Sequence, residues 1–413
     1  METKGVRYLT AEIQRFLAEE SKMAFVAGPR QVGKTTMAKH LLKSVKAEEM
    51  YFNWDIESHR RAIVKNPEDF WLRVSETASR GKWRIALDEI HKFPRWKRFL
   101  KGLYDEQINK VQIIVTGSGR LDIYQKGGDS LAGRYHRYHL HPFTLGEMVT
   151  GSRNTVTEPE RFWKLLGSHD VPESAAGFLR DLETLTGFPE PLFSGSESRL
   201  RRWRQTYQSS VLREDLRDLT RIREIGLLET LVSLLPERIG SPLSINALRE
   251  DLGINFLTVQ GWLEALERLY YLFKIRPYAG KLSRTLRREE KVYLFDYSVI
   301  EDAGARFENM VALHLRKLSD AWTEWGYGDF GLSYVRDREK REVDFLITKT
   351  RKPYALIEAK TSAADPDTSL RYFSERLKPQ HTVQVVREPQ KFKRTFTAEG
   401  ITMTPAVEFL ALI

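Results

Sequence analysis

Nine residues, Gly28-Pro29-Arg30-Gln31-Val32-Gly33-Lys34-Thr35-Thr36, follow the apolar run AFVA and precede MAKHLLK, whose apolar positions recur at helical spacing. Strand, glycine-containing loop and helix in that order make a P-loop of the form G-x-x-x-x-G-K-[ST]. Its glycines let successive backbone N–H groups curl around phosphate oxygens, and the helix N-terminus adds a favourable dipole. ATP is the expected ligand, with Lys34 reaching its β- and γ-phosphates and Thr35 ligating Mg²⁺. Downstream, the apolar WRIAL ends in Asp88-Glu89. Asp88 is placed to hold the same Mg²⁺, and Glu89 to polarise an attacking water.

Two further positions could touch the transferring phosphate. VQIIVT runs into Gly117-Ser118, and a polar group at that strand tip would lie between the two motifs, which makes Ser118 the candidate γ-phosphate sensor. Arg134, in SLAGR just before a strand, is the candidate arginine finger, with Arg120 as the alternative. Such an arginine stabilises charge on the phosphoryl group and is often supplied by a neighbouring subunit.

A second set of carboxylates lies near the C-terminus. Asp344 is followed by Glu358-Ala359-Lys360 on an apolar strand, and strand period two puts Glu358 and Lys360 on one face. Asp344 and Glu358 could bind Mg²⁺ or Mn²⁺ through oxygen, Glu308 could add a ligand from the preceding helix, and Lys360 could orient the attacking water.

Between these sites, residues 241–252 read as a capped helix closed by Gly253-Ile254-Asn255, and 256–270 as a second, amphipathic helix. That is the pattern of a helix-turn-helix. YYLFKIRPY and KVYLFD flank a basic loop holding Lys281, Arg284, Arg287 and Arg288, which suits a wing. Asn255, Thr258 and Gln260, with Trp262 as a further candidate, would face DNA. The basic residues would contact phosphates, giving shape-directed, salt-dependent binding.

The chain that must position these groups has 413 residues, 41% of them hydrophobic, enough for several cores. Short β-rich runs alternate with helical patterns from Arg7 to about Leu140, predicting parallel strands over 23–27, 50–54, 83–87, 111–116 and 135–140. Residues 151–160 read as a connector, and helices dominate to about Leu269. A helix over 306–318 then leads to strands over 332–335, 342–347, 354–359 and 382–386. The absence of cysteine excludes disulfides, cysteine-bound zinc, iron–sulfur clusters and thiol nucleophiles. No apolar run approaches the length of a membrane span and no export signal is read, so a cytoplasmic location is expected. The net charge of +10 is concentrated. Residues 199–223 hold eight Arg against three acids, and 272–291 hold seven basic residues against two acids. A polyanionic partner fits that distribution. His136, His139 and His141 form no recognisable metal box and are assigned no role.

GPRQVGKTT, LDEIHK, TGSGR, SLAGR and HPFTLGE, in that order, resemble a large group of prokaryotic predicted ATPases in the AAA+ superfamily. GFPE at 187–190 and the C-terminal blocks extend the resemblance over essentially the whole chain. It implies an α/β P-loop AAA+ domain of ASCE type over 1–150, then a helical region over 151–235. A winged-helix domain over 236–300 and an α+β restriction-endonuclease-like domain over 301–413 would follow. Together with the finger argument it implies a homo-oligomeric ring, with a hexamer as one possibility. The favoured expectation is an Mg²⁺-dependent ATPase that remodels duplex or branched DNA, by branch migration as the specific guess. An ATP-switched DNA-binding regulator and an ATP-gated DNA endonuclease stay open. A small-molecule kinase is disfavoured because no acceptor site is evident.

Overall fold

MAFVA, WRIALD and VQIIVT carry too few polar residues for either face to meet water, the pattern of a parallel sheet covered on both sides. In a computed structural model, which describes residues 6–65, 70, 83–118, 131–151, 156–216, 224–278, 289–363 and 365–413, these runs are the centre of such a sheet. The chain divides into two compact units, residues 1–141 with 151–155, and residues 142–150 with 156–413.

In the first unit the strands are β1 (Met23–Ala27), β2 (Tyr51–Asn53), β3 (Trp83–Asp88), β4 (Val111–Thr116) and β5 (Tyr135–His139). They lie in the order β2-β3-β4-β1-β5, every pairing parallel. β4 therefore separates β1 from β3. The loops after β1, β4 and β3 emerge side by side at the carboxyl edge, where parallel α/β sheets bind ligands. Leu9, Ile13, Phe16 and Leu17 form the buried stripe of helix Leu9–Glu19, and Met37, Ala38, Leu41 and Leu42 that of helix Lys34–Lys43.

The second unit begins with PFTLGE. Gly187 and Gly146 let backbones approach closely, since a Cβ on Gly187 would lie 2.5 Å from the Phe143 carbonyl oxygen and one on Gly146 2.6 Å from Ile413. His314 accepts the Leu145 N–H at Nε2 (3.1 Å), while the Lys317 ammonium is held by the Thr144 hydroxyl (2.6 Å) and Glu147 (3.4 Å). Glycine and polar residues of this motif thus serve packing within the second unit.

Helices follow to Arg268, and then a mixed sheet of eight strands. Its strands are β6 (Leu272–Pro277), β7 (Lys291–Leu294), β8 (Phe330–Arg336), β9 (Glu342–Lys349), β10 (Lys352–Lys360), β11 (His381–Val386), β12 (Phe396–Ala398) and β13 (Ile401–Pro405). The order is β12-β13-β11-β10-β9-β8-β6-β7. Hairpin β6–β7 joins β8 in parallel through Arg276 opposite Ser333 and Pro277 opposite Tyr334, so one sheet runs from the hairpin that follows the helices into the C-terminal block. Helix Ala303–Glu324, longer at both ends than expected, packs against it and buries Phe307, Val311, Leu315, Leu318 and Trp322. Leu370 and Phe373 of helix Thr368–Leu377 share a core with Leu346, Leu356, Val386 and Met403. β12 and β13, which the sequence reading passed over, complete the other edge.

Candidate functional site

The loop after β1 needs its glycines for geometry. Gly28 has φ +151°, and a Cβ there would come within 2.3 Å of the Leu140 carbonyl oxygen; Gly33 caps the following helix in the left-handed region at φ +103°. Every L-residue with a Cβ is disfavoured in that region. Lys34, largely buried, donates its ammonium to the carbonyls of Gly28 (2.9 Å) and Pro29 (2.6 Å), which centres the charge within the loop.

Asp88, at the end of β3, is the hub of this edge. Its Oδ2 accepts the hydroxyls of Thr35 (2.6 Å) and Tyr51 (2.6 Å), and its Oδ1 accepts that of Thr116 (2.6 Å). A buried carboxylate is stable only when so satisfied. Burial and the bond to Asp88 hold the Tyr51 phenol well above its ordinary pKa, so it stays a proton donor. The Thr35 hydroxyl and Asp88 carboxylate are adjacent hard oxygen donors, and this donor set fits Mg²⁺.

Glu89 takes φ +56°, rare for a residue with a long side chain, and its N–H donates to the Thr116 carbonyl (2.9 Å). Its carboxylate faces Lys92 (3.3 Å) and His91 (3.5 Å), and Lys92 also binds Asp55 (2.6 Å). Burial pushes the Glu89 carboxyl above its usual range against the opposing charges of Lys92 and Lys34, and so raises its affinity for a proton. Ser118 is buried at the tip beyond β4, between the two motifs.

Arg134 lies at the other edge. Its carbonyl accepts the N–H of Met23, the first residue of β1 (2.9 Å), and its guanidinium pairs with Asp105 (2.9 Å). The length of β1, about 16 Å at 3.3 Å per residue, separates it from the P-loop of its own chain. Arg120 lies outside the described residues.

In the second unit, helix Ile245–Leu252 is capped by the Ser244 hydroxyl and helix Phe256–Arg268 by Asn255, whose Oδ1 accepts the Thr258 N–H (2.8 Å). Gly253, in the left-handed region, makes the turn. Thr258 is half-buried, and Gln260 donates to Glu264 (3.2 Å). Trp262 does not face outward: it is 6% exposed, because it falls on the buried stripe with Val259, Leu263 and Leu266. The exposed start of this helix instead shows Phe256 (41%) and Leu257 (77%). Lys281, Arg284, Arg287 and Arg288 lie outside the described residues.

The C-terminal carboxylates converge as expected, but around a lysine. Asp344 and Glu358 are tied reciprocally, the Asp344 N–H donating to Glu358 (3.2 Å) and the Ala359 N–H to Asp344 (3.1 Å). Lys291 of β7, fully buried, places its ammonium 2.7 Å from Glu342, 3.2 Å from Glu308 and 3.5 Å from Asp344. Tyr293 donates to Glu308 (2.7 Å), and Lys360 pairs with Glu358 (2.7 Å) and Asp367 (3.1 Å). Burial, with Glu308 and Glu358 close by, drives the Asp344 pKa well up. Burial works against the Lys291 charge, but Glu308, Asp344 and Glu342 outweigh it and raise its pKa. Among the described residues no group of three or more His, Cys, Asp or Glu is arranged to hold a metal. With an ammonium between their oxygens, Glu308 and Asp344 do not fit a shared divalent ion.

Residues 20–149 match the family model of an AAA domain. Residues 179–307 and 303–409 match two models each described as a domain of unknown function, DUF8612 and DUF4143. The N-terminal unit is an AAA+ P-loop domain. An uncharacterized protein of Mycobacterium tuberculosis is 22% identical over 375 residues, covering 88% of this chain and 76% of that one. Another, of Methanocaldococcus jannaschii, is 24% identical over 351 residues, covering 74% and 70%. Among solved structures, AMPPCP-bound DnaA from Aquifex aeolicus aligns over 62% of this chain and 86% of its own, at 14% identity and a TM-score of 0.25. C. elegans PCH-2 aligns over 64% and 69%, at 14% identity and 0.27. No helix among the described residues is long and apolar enough to cross a membrane.

The AAA+ domain also contains a residue that motif reading missed. Arg7, 2% exposed, donates to the carbonyls of Val32 in the P-loop (2.7 Å) and His141 beyond β5 (2.6 Å). Tyr8 donates to the His139 carbonyl. An isolated arginine in a charged N-terminal stretch carries no spacing signal, so only the fold reveals it.

Proposed function

We propose that this chain is an Mg²⁺-dependent ATPase acting on DNA. The observation that supports it best is the convergence on Asp88 of Thr35, beside Lys34 and next to Glu89, at one sheet edge. The backbone N–H groups of Gly28 to Thr36 would bind the phosphates, and Lys34 would hand its ammonium from the loop carbonyls to the β- and γ-phosphate oxygens. Thr35 and Asp88 would hold Mg²⁺, which when bound draws charge from those oxygens. Glu89 would accept the proton of the attacking water, with Ser118 near the γ-phosphate. Arg134 is too far from its own nucleotide, so as a finger it would serve a neighbouring copy in a homo-oligomer, a hexameric ring being the assembly to look for.

DNA as the partner is supported by the two capped helices and hairpin β6–β7, the order of a winged helix, and by the charge of the segment around residues 281–288. Remodelling of branched DNA is the favoured task. Hydrolysis should be measured with and without duplex and four-way DNA, alongside a gel of end-labelled strands. Stimulated hydrolysis with intact strands released only when ATP is present is expected. Hydrolysis indifferent to every DNA would remove the motor reading. Shortened strands, lost in Asp344→Ala, would instead establish an ATP-gated endonuclease using Asp344, Glu358 and Lys360.

A second reading is an ATP-switched regulator. Exposed Phe256 and Leu257 stand where a recognition helix would present polar base readers, which favours a winged helix that docks a protein.

A further inference from the structure

The carboxylate centre of the second unit is closed by groups from the helix-turn-helix region. Gly240 has φ +80°, and a Cβ on it would lie 2.8 Å from Glu308 Oε2, so the backbone there presses against that carboxylate. Lys291 is fixed by its neighbours in the sheet, opposite Ile275 in β6 and bridged to Pro242. Its side chain is 0% exposed, and its ammonium stands 5.5 Å from the Tyr334 ring centroid. A swing outward would therefore require the hairpin to open.

Distances to the carboxylates decide what else can enter. Hard divalent ions sit about 2.0–2.6 Å from oxygen ligands, and an ammonium already within 2.7 to 3.5 Å of three carboxylates occupies the point where such spheres would meet. Glu342 is further neutralised by Arg336 (2.9 Å), and Glu358 by Lys360. Adding a divalent cation would bring two positive charges into a cluster whose carboxylates already have basic partners. Removing Lys291 would do the opposite, leaving Glu308, Glu342 and Asp344 crowded in a site of low dielectric.

We infer that Lys291 is the resident cation of the Glu308–Glu342–Asp344 cluster, excluding a divalent metal from it.

Mn²⁺ bound by the full-length, nucleotide-free protein can be counted by equilibrium dialysis. The parent chain and Asp344→Asn should bind the same number, while Lys291→Met should gain about one Mn²⁺ per chain, bound through carboxylate oxygen, and lose it again on adding Asp344→Asn. A parent chain that gives up one Mn²⁺ on Asp344→Asn overturns the inference, as does a folded Lys291→Met chain that gains none. Should Lys291→Met fail to fold, the parent and Asp344→Asn counts decide it alone.

Discussion

The Thr35 hydroxyl meets Asp88 Oδ2 at 2.6 Å across 53 residues of sequence. That bond joins the first turn of the P-loop helix to the end of β3, and it exists because β4 holds β1 and β3 one strand apart. Thr116, the last residue of the intervening strand, bonds the other oxygen of the same carboxylate.

Thr35→Ala removes an oxygen donor from that pair, whereas Glu89→Gln keeps the shape of the site and removes the base. Thr35→Ala should lower both Mg²⁺-ATP affinity and turnover. Glu89→Gln should retain ATP with turnover down by roughly 10²–10⁴, the usual worth of a general base. Phosphate release and filter-bound nucleotide distinguish them, and a Glu89→Gln chain turning over at the parental rate would remove Glu89 from its role.

Arg7→Ala leaves the Val32 and His141 carbonyls without their buried donor. A loss of about 2–3 kcal/mol in stability of the AAA+ unit is expected, from hydrogen bonds to a charged group, together with weaker nucleotide binding as the loop loosens. Arg7→Lys should rescue little of it, because Arg7 reaches the two carbonyls with two separate nitrogens, Nη1 to Val32 and Nη2 to His141, and a lysine carries only one. Denaturant titration and ATP binding measure both effects, and unchanged affinity in a destabilised chain would confine Arg7 to structure.

Neutralising Arg284, Arg287 and Arg288 together should reduce the slope of log affinity against log salt by about two to three, close to one per lost phosphate contact. An unaltered slope would place DNA elsewhere than this basic segment.

His314 gives the pH prediction. Burial lowers its pKa from 6.5 to about 3, and its ring accepts the Leu145 N–H while facing the Met310 carbonyl at 2.8 Å. The unfolded chain takes up a proton below pH 6.5 that the folded chain refuses until about 3, so stability is complete above 6.5 and falls between those values. The contribution is on the order of 5 kcal/mol at 1.36 kcal/mol per unit. His314→Gln should be less stable at neutral pH and flatter with acid in urea titrations; a parallel pH profile would overturn the assignment.

Much of the AAA+ domain was legible because its motifs are local. The P-loop and the acidic pair sit at strand ends, and apolar runs mark the strands themselves. Arg7 and Lys291 were not legible, because each matters through partners far away in sequence and neither belongs to a periodic pattern. Trp262 misled for a related reason: helical spacing locates a stripe, but an aromatic at the stripe's border can turn either way. β12 and β13 escaped because FTA is only three residues long and ITMTP is broken by two threonines and a proline.

Hairpin β6–β7 has a consequence for how this protein can be taken apart. A cut at residue 300 would strip β8 of its parallel neighbour and leave its backbone groups open to any passing strand. It would also carry Lys291 away from Glu308 and Asp344. The helix pair over 245–268 with its hairpin and the carboxylate fold are therefore expected to need each other when expressed or transplanted, and a fragment ending between them to aggregate.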